Sequence, residues 1–281
     1  MPAFGLRIGQ RAERREARHH PFRCRKCRKR FSVKTGTVME ASNIGYQNWA
    51  VAIYLFMTSL KSVSSMKLAR ELGITQKAAW FLAHRLRDAY RADTGLFGGP
   101  VEVDEAYMGG RESNKHADKK LQAGRGTVGK SIVAGVRDRV TGKVSAEVVP
   151  YNDRRTLQSF VEQRAVIGAK VYTDEAAAYR EMPYHRHGAV RHASGEYVRG
   201  EAHTQGIEAF WAMLKRAHKS TFHKISPKHL QRYVDEFAGR HNVRELDTAD
   251  QMGDMVAGMV GRRLKYDELT ADNELANGAR G

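Results

Sequence analysis

The clearest periodicity in the chain lies between residues 203 and 242. Ile207, Phe210, Trp211 and Leu214 recur at i, i+3, i+4 and i+7, the apolar stripe of an amphipathic helix. Glu208 follows the first of these, and Lys215 stands seven positions later, close to two helical turns. The acid and the cation therefore share one edge of the helix, about 10 Å apart along its axis. Residues 227–242 repeat the pattern with Leu230, Tyr233, Val234 and Phe237, which predicts a second packing helix. Near the start, Trp49, Ala52, Ile53, Leu55 and Phe56 predict a helical core face within residues 46–59.

Residues 62–90 predict two helices about a tight turn. Ser64 or Ser65 caps the first, whose apolar positions are Met66, Leu68, Ala69 and Leu72. Gly73 supplies the left-handed turn residue, and Thr75 caps the second helix. Ala79, Trp80, Leu82, Ala83 and Leu86 point inward in the second helix, while Gln76 and Lys77 point out at its N-terminal end. This is the form of a helix-turn-helix, in which that end meets base edges. A plain helical hairpin would show the same pattern.

Three glycines and a proline in residues 94–100 mark a boundary, after which the period changes. Residues 101–110 alternate and end in a glycine pair, a strand entering a turn. Residues 111–130 are polar and lysine-rich, a loop. Residues 131–137 and 143–150 predict two strands joined at Asp138 to Gly142, and residues 154–165 a helix with Leu157, Phe160 and Val161 inward. Residues 169–174 form a short buried strand, 175–182 a short helix, and 189–192 a last strand. The order is that of a ribonuclease-H-like domain, a mixed sheet with helices on both faces. The expected fold class is thus α+β/α/β. In that order Asp104, on the first strand, Asp174, at the end of the fourth, and Glu208, on the following helix, converge at one sheet edge. Three like charges held together make sense where a cation offsets them. Glu105 and Glu175, each beside a named aspartate, are bystanders on the opposite side of the backbone.

Bulk charge narrows the partner. The 281 residues carry a formal net charge of +17, which favours an extended polyanion. Residues 1–40 alone hold twelve Lys or Arg against three Glu, and the first 20 read as a basic arm. A 41% hydrophobic content is that of a globular protein, and no run approaches the ~20 apolar residues of a membrane span. With no apolar signal segment at the start, a cytoplasmic, nucleoid-associated location and no membrane contact are expected.

Cys24 and Cys27 are the chain's two cysteines and exclude a disulfide framework. Between Phe22 and Phe31 they read as one knuckle of a zinc ribbon with the two rings as its small core. A structural zinc needs four ligands, and His19 and His20 are poorly spaced to supply the rest. Two reduced thiols without metal account for the pair equally well.

Several stretches together carry a resemblance. They are residues 22–37 (FRCRKCRKRFSVKTGT), 63–80 (VSSMKLARELGITQKAAW), 101–110 (VEVDEAYMGG), 171–175 (VYTDE), 206–216 (GIEAFWAMLKR) and 226–242. The chain resembles the DDE transposases of bacterial insertion sequences, specifically the Merlin-related (ISXO-type) group, over nearly its whole length. The resemblance implies a zinc ribbon, a helix-turn-helix and a ribonuclease-H-like core that cuts and rejoins transposon ends with Mg²⁺, for which Mn²⁺ can substitute. It implies Asp104, Asp174 and Glu208 as metal ligands and Lys215 as the cation on transposon-end DNA, beside Arg216. Gln205 is the alternative third ligand, because parts of the group carry an amide there. The family's earlier cysteine pair is missing, which leaves zinc open.

The expected organisation is a basic arm and partial ribbon over 1–40, a DNA-binding helix-turn-helix over 41–93, a catalytic domain over 100–245, and a C-terminal helix and tail over 246–281. Lys224, Lys228, Arg232, Arg240 and Arg244 are expected on a DNA-facing surface. The expected partners are double-stranded DNA, as inverted-repeat ends and target, and a second copy of the chain. A DNA-binding remnant that cannot transpose and a nuclease of the same fold are the competing readings.

Overall fold

The computed structural model describes residues 21–90, 95–110, 127, 129–174, 177–190 and 203–272. The basic arm, His19, His20, Glu175, most of the loop 111–130 and the end of the chain lie outside them.

The N-terminal part is a pair of short strands and a helical unit. β1 (Phe22–Arg23) pairs antiparallel with β2 (Arg30–Phe31), setting Phe22 opposite Phe31 with ring centroids 5.5 Å apart. Both rings remain exposed, contrary to the expected small core, because strands of two residues have no second layer to bury them.

In α1 (Tyr46–Thr58) the predicted residues Trp49, Ala52, Ile53 and Phe56 are buried. α2 (Ser65–Leu72) and α3 (Gln76–Ala89) form the predicted pair. Ser64 Oγ accepts from the Lys67 N–H at 3.2 Å, and Thr75 Oγ1 accepts from the Ala78 N–H at 3.2 Å. Gly73 closes α2 at φ 62°, a left-handed conformation that costs glycine nothing. Met66, one of the apolar positions of α2, is 61% exposed. It stands two positions before the buried Leu68, about 200° around the helix and so on its outer side. α7 (Thr248–Gly258) returns to this unit, and Met255 and Met259 complete its core.

The second part is a five-stranded sheet of β3 (Val101–Met108), β4 (Ser131–Asp138), β5 (Val144–Val149), β6 (Lys170–Asp174) and β7 (Arg186–Val190). The order is β5-β4-β3-β6-β7, with β3, β4 and β5 antiparallel and β6 and β7 parallel to β3. The β4–β5 turn is tied by Asp138 Oδ1, which accepts from the N–H groups of Val140 and Thr141 at 2.7 and 3.0 Å. The helix predicted over 175–182 is a single 3₁₀ turn, Ala177–Tyr179.

Helices cover both faces of the sheet, as predicted. α4 (Arg154–Glu162) lays Leu157, Phe160 and Val161 on Val101, Val103, Ala134 and Val136. α5 (Gln205–Ala217) and α6 (Leu230–Asn242) cover the other face, against Ala106, Met108, Val133 and Val144. All four stripe residues of α5, Ile207, Phe210, Trp211 and Leu214, are buried there. α6 also blunts the sheet edge: Gln231 Oε1 and Asn242 Oδ1 each accept a β5 backbone N–H at 2.7 Å. Among the described residues no helix is long and apolar enough to cross a membrane.

Candidate active site

The site follows from the pleat of β3. Alternate residues point to opposite faces, so Glu102, Asp104, Ala106 and Met108 look toward α5, and Val103 and Glu105 toward α4 and the 3₁₀ turn. Asp104 is thus on the α5 face, beside the end of the neighbouring strand β6, where Asp174 stands. Antiparallel pairing puts Gly135 of β4 opposite Asp104. A Cβ at Gly135 would meet Trp211 Cζ2 at 2.5 Å, so only glycine lets the indole lie flat on the sheet there. That close approach seats α5 with Glu208 on its exposed edge near Asp104.

Electrostatics register the meeting. Burial raises the Asp104 carboxyl, the charges of Asp174 and Glu208 push it further, and it stands at about 6. The Glu105 backbone N–H and the Lys215 ammonium pull in the opposite direction. Two acids and one cation, from β6 and α5, therefore act on Asp104 of β3. Thr204 Oγ1 donates to Glu208 Oε1 at 2.9 Å and fixes that carboxylate's direction. Gln205, the alternative third ligand, opens α5 with an exposed side chain. Past Lys215 and Arg216 the helix widens into a π turn, His218–Phe222, a local irregularity that recurs at functional sites.

Glu105 is set apart from this group. It faces the other side of β3, where the buried Tyr179 hydroxyl donates to its Oε2 at 2.8 Å. Burial and the nearby Asp104 and Asp174 raise it to about 7.

The donor set fits a hard divalent cation: carboxylate oxygens whose mutual repulsion a cation relieves. Among the described residues no three His, Cys, Asp or Glu side chains are already grouped as ligands of one ion. The predicted convergence is one of electrostatic range, and a cation placed there would complete its shell with water or phosphate oxygens. The described residues leave out His19 and His20, the candidate partners of the cysteine pair. Cys24 and Cys27 stand in a short turn with no third or fourth ligand among the described residues. The hydrogen bond from the Cys27 backbone N–H lowers the Cys24 thiol pKa without any metal.

The cations expected on a DNA-facing surface divide differently. Lys224 is exposed, but Arg232 pairs with Asp88 at 2.9 Å, Arg240 with Glu236 at 3.7 Å and Arg244 with Glu245 at 3.1 Å. Lys228 donates to the Ala271 carbonyl. α6 is sandwiched between the sheet and the helical unit, so its cations serve internal joints. Gln76 and Lys77 are exposed as predicted, yet both are engaged. Gln76 Nε2 donates to Ser65 Oγ at 3.0 Å, and Lys77 Nζ lies 4.6 Å from the Tyr266 ring centroid on α8 (Tyr266–Thr270).

Sequence reasoning missed Glu102. It is wholly buried on the same face as Asp104, and Arg139 Nε at 3.0 Å, Arg137 Nη1 at 3.4 Å and the Ile207 N–H at 2.9 Å all donate to it. The one available signal was a charged residue at an inward position of an apolar strand.

A protein described as an uncharacterized protein in transposable element ISH50 of Halobacterium salinarum is 28% identical over 237 residues, covering 79% of this chain and 78% of that one. A chain from the cryo-EM structure of the simian T-cell lymphotropic virus intasome in complex with PP2A regulatory subunit B56 gamma superposes with a TM-score of 0.31 at 14% identity. It covers 68% of this chain, which spans 65% of that chain's length, a likeness too distant to bear on function. Residues 96–242, from the entry to β3 through the end of α6, match the ISXO2-like transposase domain. That match takes in more than half of the chain and every element that carries Asp104, Asp174, Glu208 and Lys215, so the protein belongs to the ISXO2-like transposase family.

Proposed function

We propose that this protein is the active transposase of an insertion sequence, cutting DNA at the element's inverted-repeat ends and joining those ends to target DNA. The observation that supports the reading is the buried Asp104 carboxyl on the α5 face of a mixed sheet, raised by the nearby charges of Asp174 and Glu208 and drawn back by Lys215. In the first step water attacks the phosphorus at the element end; the P–O3′ bond breaks and leaves a 3′-hydroxyl on the element. In the second, that hydroxyl attacks a target phosphodiester, forming a new P–O bond and releasing a target 3′-hydroxyl. Asp104 and Asp174 would hold one divalent ion, and Glu208, oriented by Thr204, would help to hold a second. Bound Mg²⁺ or Mn²⁺ supplies charge neutralisation at the reacting phosphate and makes the attacking oxygen easier to ionise. Lys215 and Arg216, both exposed on α5, hold the end's phosphates next to the acids, and Gln76 and Lys77 read duplex DNA from α3. Two ends must be brought together, so the working form is a dimer or larger on DNA, in the cytoplasm at the nucleoid.

One observation favours a second reading, a protein that occupies ends without transposing: the Cys24–Cys27 knuckle lacks further ligands among the described residues. Labelled duplex carrying the flanking inverted repeats, incubated with Mg²⁺ or with EDTA, separates the two. Metal-dependent nicking at the repeat tips supports the transposase. Binding without cutting supports the remnant, and metal-dependent cutting indifferent to the repeats points to a nuclease of the same fold.

A further inference from the structure

Glu102 is a fully buried carboxylate, which is costly unless every oxygen is engaged. Its Oε1 takes Arg139 Nε at 3.0 Å and Arg137 Nη1 at 3.4 Å, both from β4 and its following turn, and lies 3.5 Å from His203 Nδ1. Its Oε2 accepts the Ile207 N–H at 2.9 Å. That donor belongs to the first turn of α5, where backbone N–H groups have no partner within the helix. An N-cap side chain ordinarily fills this role. Thr204 is the N-cap of α5, and its side chain makes no capping bond. Its hydroxyl is turned instead to Glu208, donating to Oε1 at 2.9 Å. Arg139 adds a second tie by donating to the His203 carbonyl, just before the helix, while its guanidinium lies 4.2 Å from the Tyr172 ring centroid.

We infer that Glu102 is a positioning residue for the metal site. It caps α5 from the sheet in place of Thr204, which leaves the Thr204 hydroxyl to aim Glu208 at the site. The inference rests on the transposase reading. Glu102 and Asp104 stand two residues apart on one strand face, about 7 Å along it. Pinning the helix start to Glu102 therefore fixes the approach of Glu208 to Asp104. The glycine before Ile207 belongs to the same device: a Cβ at Gly206 would meet Arg137 Cζ at 2.6 Å and Glu102 Oε2 at 2.7 Å.

The test uses the full-length protein and Mn²⁺ alone, with free ion followed by electron paramagnetic resonance and Tm measured in EDTA. The parent binds Mn²⁺ and Asp174→Asn binds it weakly. Glu102→Gln loses affinity by about 10–100-fold, the usual effect of removing a group that orients metal ligands. Glu102→Gln leaves two part-buried arginines without their anion and can unfold, so Thr204→Val is the second variant. It removes one hydroxyl that makes no cap, leaves Tm at the parent value and weakens Mn²⁺ binding in the same direction. Parent-like Mn²⁺ affinity in Thr204→Val, or in a folded Glu102→Gln, overturns the inference alone. A parent that binds no Mn²⁺, or binds it equally well after Asp174→Asn, overturns the metal-site reading and this inference with it.

Discussion

Arg87 Nε on α3 donates to Glu236 Oε2 on α6 across 2.8 Å, with the two side chains 2% and 0% exposed. The Arg87 guanidinium also lies 3.9 Å from the Tyr233 ring centroid. This pair joins the helical unit to the helix layer of the sheet, 149 residues apart in sequence. It is a joint between the proposed DNA-reading helix and the candidate active site.

Breaking the pair from one side leaves a buried charge with nothing to offset it. Glu236→Gln is expected to destabilise the fold by roughly 3–5 kcal/mol, lowering Tm on the order of 10 °C. The double variant Arg87→Met/Glu236→Leu removes both charges of this pair and is expected to regain part of that loss, since Arg240 still loses its Glu236 partner. Thermal unfolding of the parent, the single and the double variants checks this. A double variant less stable than the single one contradicts it.

Gly135 is the position on which α5 rests. In Gly135→Ala the new methyl meets the Trp211 ring at 2.5 Å, and the helix must lift from the sheet. Overpacking of this kind costs about 1–3 kcal/mol, and displacement of Glu208 is expected to lower cleavage more than end binding. Tm and cleavage rate measured on the same preparation test both halves.

Asp174→Ala is expected to abolish strand cleavage and leave DNA affinity near the parent value. Lysines and arginines supply that affinity, and removing an acid does not weaken it. A gel-shift titration beside a nicking assay, at one salt concentration, reads both. Equal cleavage by variant and parent rejects Asp174 as a metal ligand.

Three histidines make stability fall in mild acid. Burial, then Arg87, hold His84 well below the usual histidine range, and neither ring nitrogen has a hydrogen-bond partner among the described residues. Burial, reinforced by Lys228 and Arg232, lowers His229 to about 4, and burial with Arg244 lowers His241 to about 4. The unfolded chain takes up protons near pH 6.5, before the folded chain can. Stability is therefore complete above that pH and drains away as pH falls from about 6.5 toward 4. Asp104 and Glu105, raised to about 6 and about 7, bind protons first in the folded chain and oppose this loss, so Tm at constant ionic strength is expected to fall less steeply between pH 7 and pH 5 than the histidines alone would make it. Replacing His84 with Leu, which cannot take a proton, is expected to flatten that slope.

Local pattern determined much of this protein. The stripe of α5, the caps Ser64 and Thr75 and the turn at Gly73 each follow from residues within a few positions of one another. A helix repeats every 3.6 residues and a strand every two, so a local window suffices to find them. Asp104, Asp174 and Glu208 could be named as candidates for the same reason, as acids on elements whose order implies a shared sheet edge. Tertiary structure decided the rest. Glu102 and Asp104 look alike in sequence, two acids on alternate positions of one strand. Only the seating of Ile207 and Arg139 makes the first a cap and leaves the second to the site. Arg232 and Arg240 looked like part of a solvent-facing row until α6 was found between two packed layers. Such roles depend on which distant groups the packed elements bring within a few ångströms, and no local periodicity encodes that distance.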